Sequence, residues 1–190
     1  MPADGLKSKS SAENFALGMQ HLASGRVQIA RRMIKLAAES GYLPAISIYC
    51  AFLEYGVGGS PNRRKTIVWL KKAAALGDTT SCIRLAEYWV AAGAKSQAKY
   101  WLQKAPADPR ALLFLARLYS QSRSVRATTR ARSALSRAAV YREMLTPEEQ
   151  SSLDNLQNQF RDRSPDARWS RVNRKRFEQA YEEPIKSVFK

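Results

Sequence analysis

The chain has 190 residues and a mass of 21.4 kDa, and 32 Lys and Arg against 16 Asp and Glu give it a formal charge of +16 and a pI near 10.2. That length supports one hydrophobic core, or one core with a helical tail, rather than two separate domains, and 45% hydrophobic residues with 9 Gly and 8 Pro exclude a disordered or fibrous chain. No apolar run exceeds six residues, as from Ala111 to Ala116, far short of the roughly 20 a membrane-spanning helix needs, while the basic balance favours a nucleic acid, an acidic protein or a charged membrane surface as partner.

Residues 1–10 are polar and begin a stretch without the apolar centre of a secretory leader. A flexible N-terminus and a cytoplasmic location are expected, with export by other signals left open. Helices are expected at 11–24, 27–40, 44–55, 61–76, 79–92, 95–105, 109–122, 127–143, 147–162 and 165–182. Their starts are marked by Ser60-Pro61, Asp108-Pro109, Thr146-Pro147 and Ser164-Pro165, each pairing a capping oxygen with a proline whose missing N–H costs nothing in a first turn. Thr146 and Glu149 form a capping box. Gly41 and Gly77 follow alanine-rich stretches, where a residue without a side chain closes a helix in the left-handed conformation. No stretch alternates as a strand would, so the fold class is all-α.

The helices repeat. Ala37-Ala38-Glu39-Ser40-Gly41 is echoed 36 residues on by Ala73-Ala74-Ala75-Leu76-Gly77, and Trp69-Leu70-Lys71-Lys72-Ala73 is echoed 32 residues on by Trp101-Leu102-Gln103-Lys104-Ala105. Ala138-Ala139 is a weaker fourth echo. A period in the thirties is the length of two short helices and two turns. The succession Ala45, Tyr49, Leu53, Gly56-Val57-Gly58-Gly59, Trp69 through Ala74 and Gly77-Asp78 resembles the Sel-one-like repeat (SLR), a relative of the tetratricopeptide repeat. The match is good over 45–78, partial over 16–41, degenerate over 81–107, where Pro106 replaces an alanine, and slight over 111–139.

The resemblance implies a short right-handed superhelix of antiparallel helix pairs spanning 11–143, followed by a C-terminal helical extension or cap over 144–190 that carries a basic segment and a flexible tail. It implies a non-enzymatic adaptor or scaffold binding another protein or peptide segment, in bacteria often within a secretion, conjugation or envelope-associated assembly. Tyr49, Glu54, Arg84, Tyr88 and Arg117, from the first helix of each pair, are the candidates for the concave protein-binding face.

Chemistry beyond binding has little support in the residues. Gly56-Val57-Gly58-Gly59 follows no strand and lacks the spacing of a phosphate-binding loop, so it reads as a turn between two helices. His21 has no acid or cysteine spaced to orient it. Cys50 and Cys82 lie 32 residues apart without a CxxC partner and read as packed thiols rather than a zinc site or disulfide. No catalytic residue, metal or cofactor is expected.

The basic residues are the other candidates. From Arg117 to Arg142 the chain has seven arginines and no acid, and arginine suits bidentate contact with phosphate or carboxylate. Arg126, Arg130 and Arg137, with Arg168, Arg171 and Arg174 further on, are the polyanion-binding candidates. Trp169, Val172, Phe177 and Tyr181 add an apolar stripe to the last segment, which serves to cap the repeat array, to stack on bases or to dock on an external protein. Residues 1–110 carry a net +9 (16 basic, 7 acidic) and residues 111–190 a net +7 (16 basic, 9 acidic). Charge spread so evenly favours sequence-independent attraction over a base-reading module. Nucleic-acid association is therefore the alternative to a protein adaptor, and a secreted effector is a third.

Overall fold

The computed structural model describes residues 10–122 and 124–161. Among them all regular structure is helical: α1 (Ser11–Ala23), α2 (Val27–Glu39), α3 (Leu43–Tyr55), α4 (Arg63–Ala75), α5 (Thr79–Ala91), α6 (Lys95–Gln103), α7 (Pro109–Ser120), α8 (Val125–Val140) and α9 (Pro147–Arg161), with a short 3-10 turn at Arg142–Met144. The helix expected at 165–182 and the tail lie outside the described residues.

Local chemistry accounts for the boundaries. Ser10 and Glu13 form a reciprocal capping box at α1, and Thr146 and Glu149 form the expected one at α9, with Thr146 N donating to Glu149 Oε2 over 2.9 Å and Glu149 N to Thr146 Oγ1 over 3.3 Å. Asp78 and Asp108 accept from the first turns of α5 and α7. Gly41 and Gly77 close α2 and α4 with φ of 85° and 90°. In each case the glycine N–H bonds three residues back and the next N–H five back, as from Tyr42 to Ala37 and from Asp78 to Ala73.

Two starts differ from expectation by more than one residue. Ser60-Pro61 does not open α4: Asn62 caps it, its Oδ1 accepting from Lys65 N over 2.9 Å, while Pro61 closes the preceding turn against Gly56. Helix α8 begins at Val125 rather than 127, because Ser124 Oγ accepts from Ala127 N, and it ends at Val140, where the chain tightens into the 3-10 turn.

The chain divides between Pro106 and Ala107 into two compact units. The physical reason lies at the degenerate third repeat. Helix α6 has only 9 residues where α2 and α4 have 13, and Pro106 falls where a helical alanine would extend it.

In the first unit each helix packs on the next in the chain, from α1 to α6. Small side chains permit the close approach: Ala30, Ala37, Ala45, Ala73 and Ala98 are fully buried among Ile34, Leu53, Leu70, Leu85 and Leu102. Trp69 is the main anchor. Its ring meets Tyr49 edge-on at 5.2 Å and carries Lys72 Nζ 4.2 Å from its centroid. The echoed Trp101 keeps the lysine three residues on, with Lys104 Nζ at 5.2 Å, but its aromatic contact is with its chain neighbour Tyr100 at 5.3 Å rather than with another helix.

In the second unit α7 and α8 pair and α9 packs on both. Helix α9 contributes Leu153 and Phe160, which are buried like Leu112, Leu115, Tyr119 and Leu135 of the pair.

Candidate binding surfaces

Three of the expected protein-binding residues meet in one cluster of the first unit. Glu54 lies on α3, and Arg84 and Tyr88 lie one turn apart on α5. The Tyr88 hydroxyl donates to Glu54 Oε1 over 2.6 Å, and Arg84 Nη2 pairs with Glu54 Oε2. From α4, Arg63 places its guanidinium 4.9 Å from the Tyr88 ring centroid and donates to the Tyr88 carbonyl oxygen over 3.4 Å. The Arg84 and Glu54 side chains remain 25% and 31% exposed, so the cluster is ordered by its own bonds and still open to a partner.

Electrostatics fix its protonation. Burial, then the hydrogen bond to Glu54 and the charge of that carboxylate, push the Tyr88 phenol up to about 12. The hydroxyl therefore stays protonated and donates throughout the neutral range. Burial also raises the Cys50 thiol to about 11, with Glu54 and Asp78 adding to the effect and Arg84 opposing it. Cys50 and Cys82 are both buried, and a thiol held that high is no nucleophile at neutral pH.

Tyr49, the fourth candidate, is a core residue, 6% exposed and set against Trp69. Arg117, the fifth, is in the second unit, exposed on α7, where it bonds Ser152 Oγ of α9 through Nε at 3.1 Å and Nη2 at 2.5 Å.

The arginine run from 117 to 142 serves two ends. Arg132 Nη2 donates to the Phe160 carbonyl oxygen over 2.8 Å and Arg117 reaches Ser152, which ties α9 to the helix pair, while Arg142 of the 3-10 turn makes a two-pronged pair with Asp154 of α9 at 2.6 and 2.7 Å. Arg126, Arg130 and Arg137 are exposed, and their spacing of 4 and 7 residues puts them on one face of α8. Arg130 lies 6.0 Å from the Tyr119 ring centroid. Arg168, Arg171 and Arg174, with Trp169 and Phe177, are outside the described residues.

Sequence reasoning missed a second basic cluster, in the first unit. Arg31, Arg32 and Lys35 of α2 line a cavity with Gln28, Tyr49 and Gly58. The i, i+1, i+4 spacing of three cations was the available signal, but taken alone it describes an ordinary solvated helix face. Among the described residues no group of three His, Cys, Asp or Glu could hold a metal, and no helix is long and apolar enough to cross a membrane.

These helix pairs, closed by glycine and packed through alanine and tryptophan, define an all-α helical-repeat protein with the SLR fold. Two crystal structures are similar to it. One is a Sel1 repeat protein from Oxalobacter formigenes, with a TM-score of 0.60 and 19% identity over 78% of this chain and 72% of that one. The other is c5321, a protective antigen present in uropathogenic Escherichia coli strains displaying an SLR fold, with a TM-score of 0.51 and 17% identity over 87% of this chain and 48% of that one. This chain thus corresponds to about half the length of c5321. No protein-family model and no curated protein matches the sequence.

Proposed function

We propose that this chain is a non-enzymatic SLR-type adaptor or scaffold that binds a segment of another protein, in a cytoplasmic setting and as part of a secretion, conjugation or envelope-associated assembly. The observation that carries the reading is the Glu54–Arg84–Tyr88 cluster. Two successive odd-numbered helices present a carboxylate, a guanidinium and a phenol in fixed relation, bonded yet partly exposed, and polar groups ordered before contact lose little entropy on binding. The SLR fold of the two similar structures supports a surface built for binding rather than reaction.

The test is affinity purification from nuclease-treated lysate with the full chain and with a Glu54→Gln/Arg84→Gln variant. The wild type should retain a defined protein that the variant loses. Retention of nothing after nuclease treatment, or equal retention by both, would reject the reading.

A second reading rests on Arg126, Arg130 and Arg137 along one exposed face of α8. Such a row neutralises phosphates of a nucleic acid without reading bases. Binding to duplex DNA should weaken with salt on a log-log plot by about 0.9 per phosphate neutralised. Replacing the three arginines by glutamine should reduce that slope by roughly 3; an unchanged slope would remove these residues from the interface.

A further inference from the structure

Helix α2 gathers Gln28, Arg31, Arg32 and Lys35 within two turns, and with Tyr49 and Gly58 they line an open cavity of about 250 Å³. That is below the roughly 300–1,000 Å³ of pockets that enclose drug-sized ligands, and roomy enough for a phosphoryl group together with the atoms that carry it. The lining contains three cations and no carboxylate.

Arg31 is held in place. Its Nη1 donates to the Val57 carbonyl oxygen over 2.7 Å, and its guanidinium carbon stands 6.0 Å from the Tyr49 ring centroid. The glycine turn after α3 makes this seat. A Cβ on Gly59 would lie 2.9 Å from Arg31 Nη1 and 3.2 Å from its Cζ, and one on Gly58, at φ 68°, would lie 3.1 Å from the Val27 carbonyl oxygen. Bare backbone at both positions lets the turn rest on α2 beside the arginine. These glycines do not wrap a phosphate as a phosphate-binding loop does; they position a guanidinium.

Charge selects the ligand class. Lys35 pairs with Glu39 at 3.2 Å, but the two side chains are 50% and 46% exposed, and such a pair is readily exchanged for a better one. With that pair intact Arg31 and Arg32 leave two positive charges to be met, and with it exchanged Lys35 adds a third. A carboxylate or a phosphodiester brings one negative charge, whereas a phosphomonoester brings about 1.5 to 2 at neutral pH, with three acceptor oxygens suited to guanidinium donors.

We propose that the cavity formed by α2 and the glycine turn is a binding site for a phosphomonoester group. It involves none of Glu54, Arg84 and Tyr88 and does not depend on the adaptor reading.

The experiment is calorimetric titration of the full chain with inorganic phosphate, free phosphoserine, a phosphoserine-centred peptide, dimethyl phosphate and a short DNA duplex, at one ionic strength set with chloride. Phosphate and phosphoserine should bind and dimethyl phosphate should not. Arg32→Gln, at an exposed position, should weaken phosphoserine by roughly tenfold, the worth of one charge-assisted hydrogen bond. Arg126→Gln/Arg130→Gln/Arg137→Gln, which removes more charge elsewhere, should leave phosphoserine affinity unchanged. Tighter binding of the phosphopeptide than of free phosphoserine identifies a protein source, and equal binding a small phosphorylated molecule; either supports the site. The proposal is overturned by undiminished phosphoserine binding in Arg32→Gln, by its loss in the α8 variant, by dimethyl phosphate binding as well as phosphate, or by binding of the duplex alone.

Discussion

The two compact units use positive charge differently. Among the described residues, Arg130 lies over Tyr119 in the second unit, against Arg31 over Tyr49, Arg63 over Tyr88, Lys72 over Trp69 and Lys104 over Trp101 in the first. The charge is seated on the repeat's own anchors and stays available to solvent and ligand. In the second unit Arg117, Arg132 and Arg142 reach across to a hydroxyl, a carbonyl and a carboxylate of α9. There the charge closes a helix onto its neighbours, which also relieves the repulsion expected of an acid-free arginine run. A net charge of +16 is therefore not a count of residues open to a partner, and the difference between units says which to test for binding and which for stability.

The largest effect should come from the anchor of the first unit. Trp69 is 8% exposed and carries both the Tyr49 edge contact and Lys72. Trp69→Ala should lower the unfolding free energy by about 3 to 5 kcal/mol, read from chemical denaturation followed by circular dichroism. A cost near zero would mean that the packing of α3 on α4 does not depend on this ring, and the contrast with the second unit would lose its basis.

How much of this was legible in the sequence follows from how local each determinant is. The capping box of Thr146 and Glu149 and the glycine closures at 41 and 77 depend on residues within one turn, and each appears as read. Pro61 was misread because a proline serves a first helical turn and a tight loop equally well, and only the packing against Gly56 decides between them. Glu54, Arg84 and Tyr88 were each identifiable as polar residues on odd-numbered helices, but their meeting depends on the register between α3 and α5. The arginine run looked unbalanced for a related reason: Asp154 is 12 residues beyond Arg142, and the turn into α9 returns it. The α2 cavity was hidden because its last component, the glycine turn, is 20 residues and more away from its cations.

An intermediate effect belongs to the Glu54 cluster and is read through pH. With the Tyr88 phenol raised from 10.0 to about 12, the folded state holds its proton where the unfolded state has begun to lose it. The hydroxyl's stabilising contribution is therefore complete below pH 10 and declines as pH rises toward 12. Tyr88→Phe should be less stable than wild type at neutral pH, by about 1 kcal/mol for one hydrogen bond to a partly exposed carboxylate. The gap should narrow across that alkaline window. A gap independent of pH would mean that packing of the ring, not the bond to Glu54, holds the cluster.

The smallest effect should be the counterpart in the second unit. Arg142 and Asp154 form a two-pronged pair, but their side chains are 47% and 43% exposed, and water and salt weaken such pairs. The bond from Arg142 holds the Asp154 carboxyl below its ordinary 3.8, so the pair contributes above that pH and is lost as pH falls through the depressed value. Arg142→Ala should produce a small loss of stability at neutral pH and low salt that vanishes both in strong acid and in molar salt, measured by thermal unfolding across a grid of the two. The same grid should move the loss in Trp69→Ala by only a small fraction of its size, because most of it is burial of an uncharged indole and only the Lys72 contact is open to screening. A loss in Arg142→Ala that persists at high salt would mean that the arginine supports α9 through packing of its aliphatic stem, and that the second unit, like the first, relies on contact more than on charge.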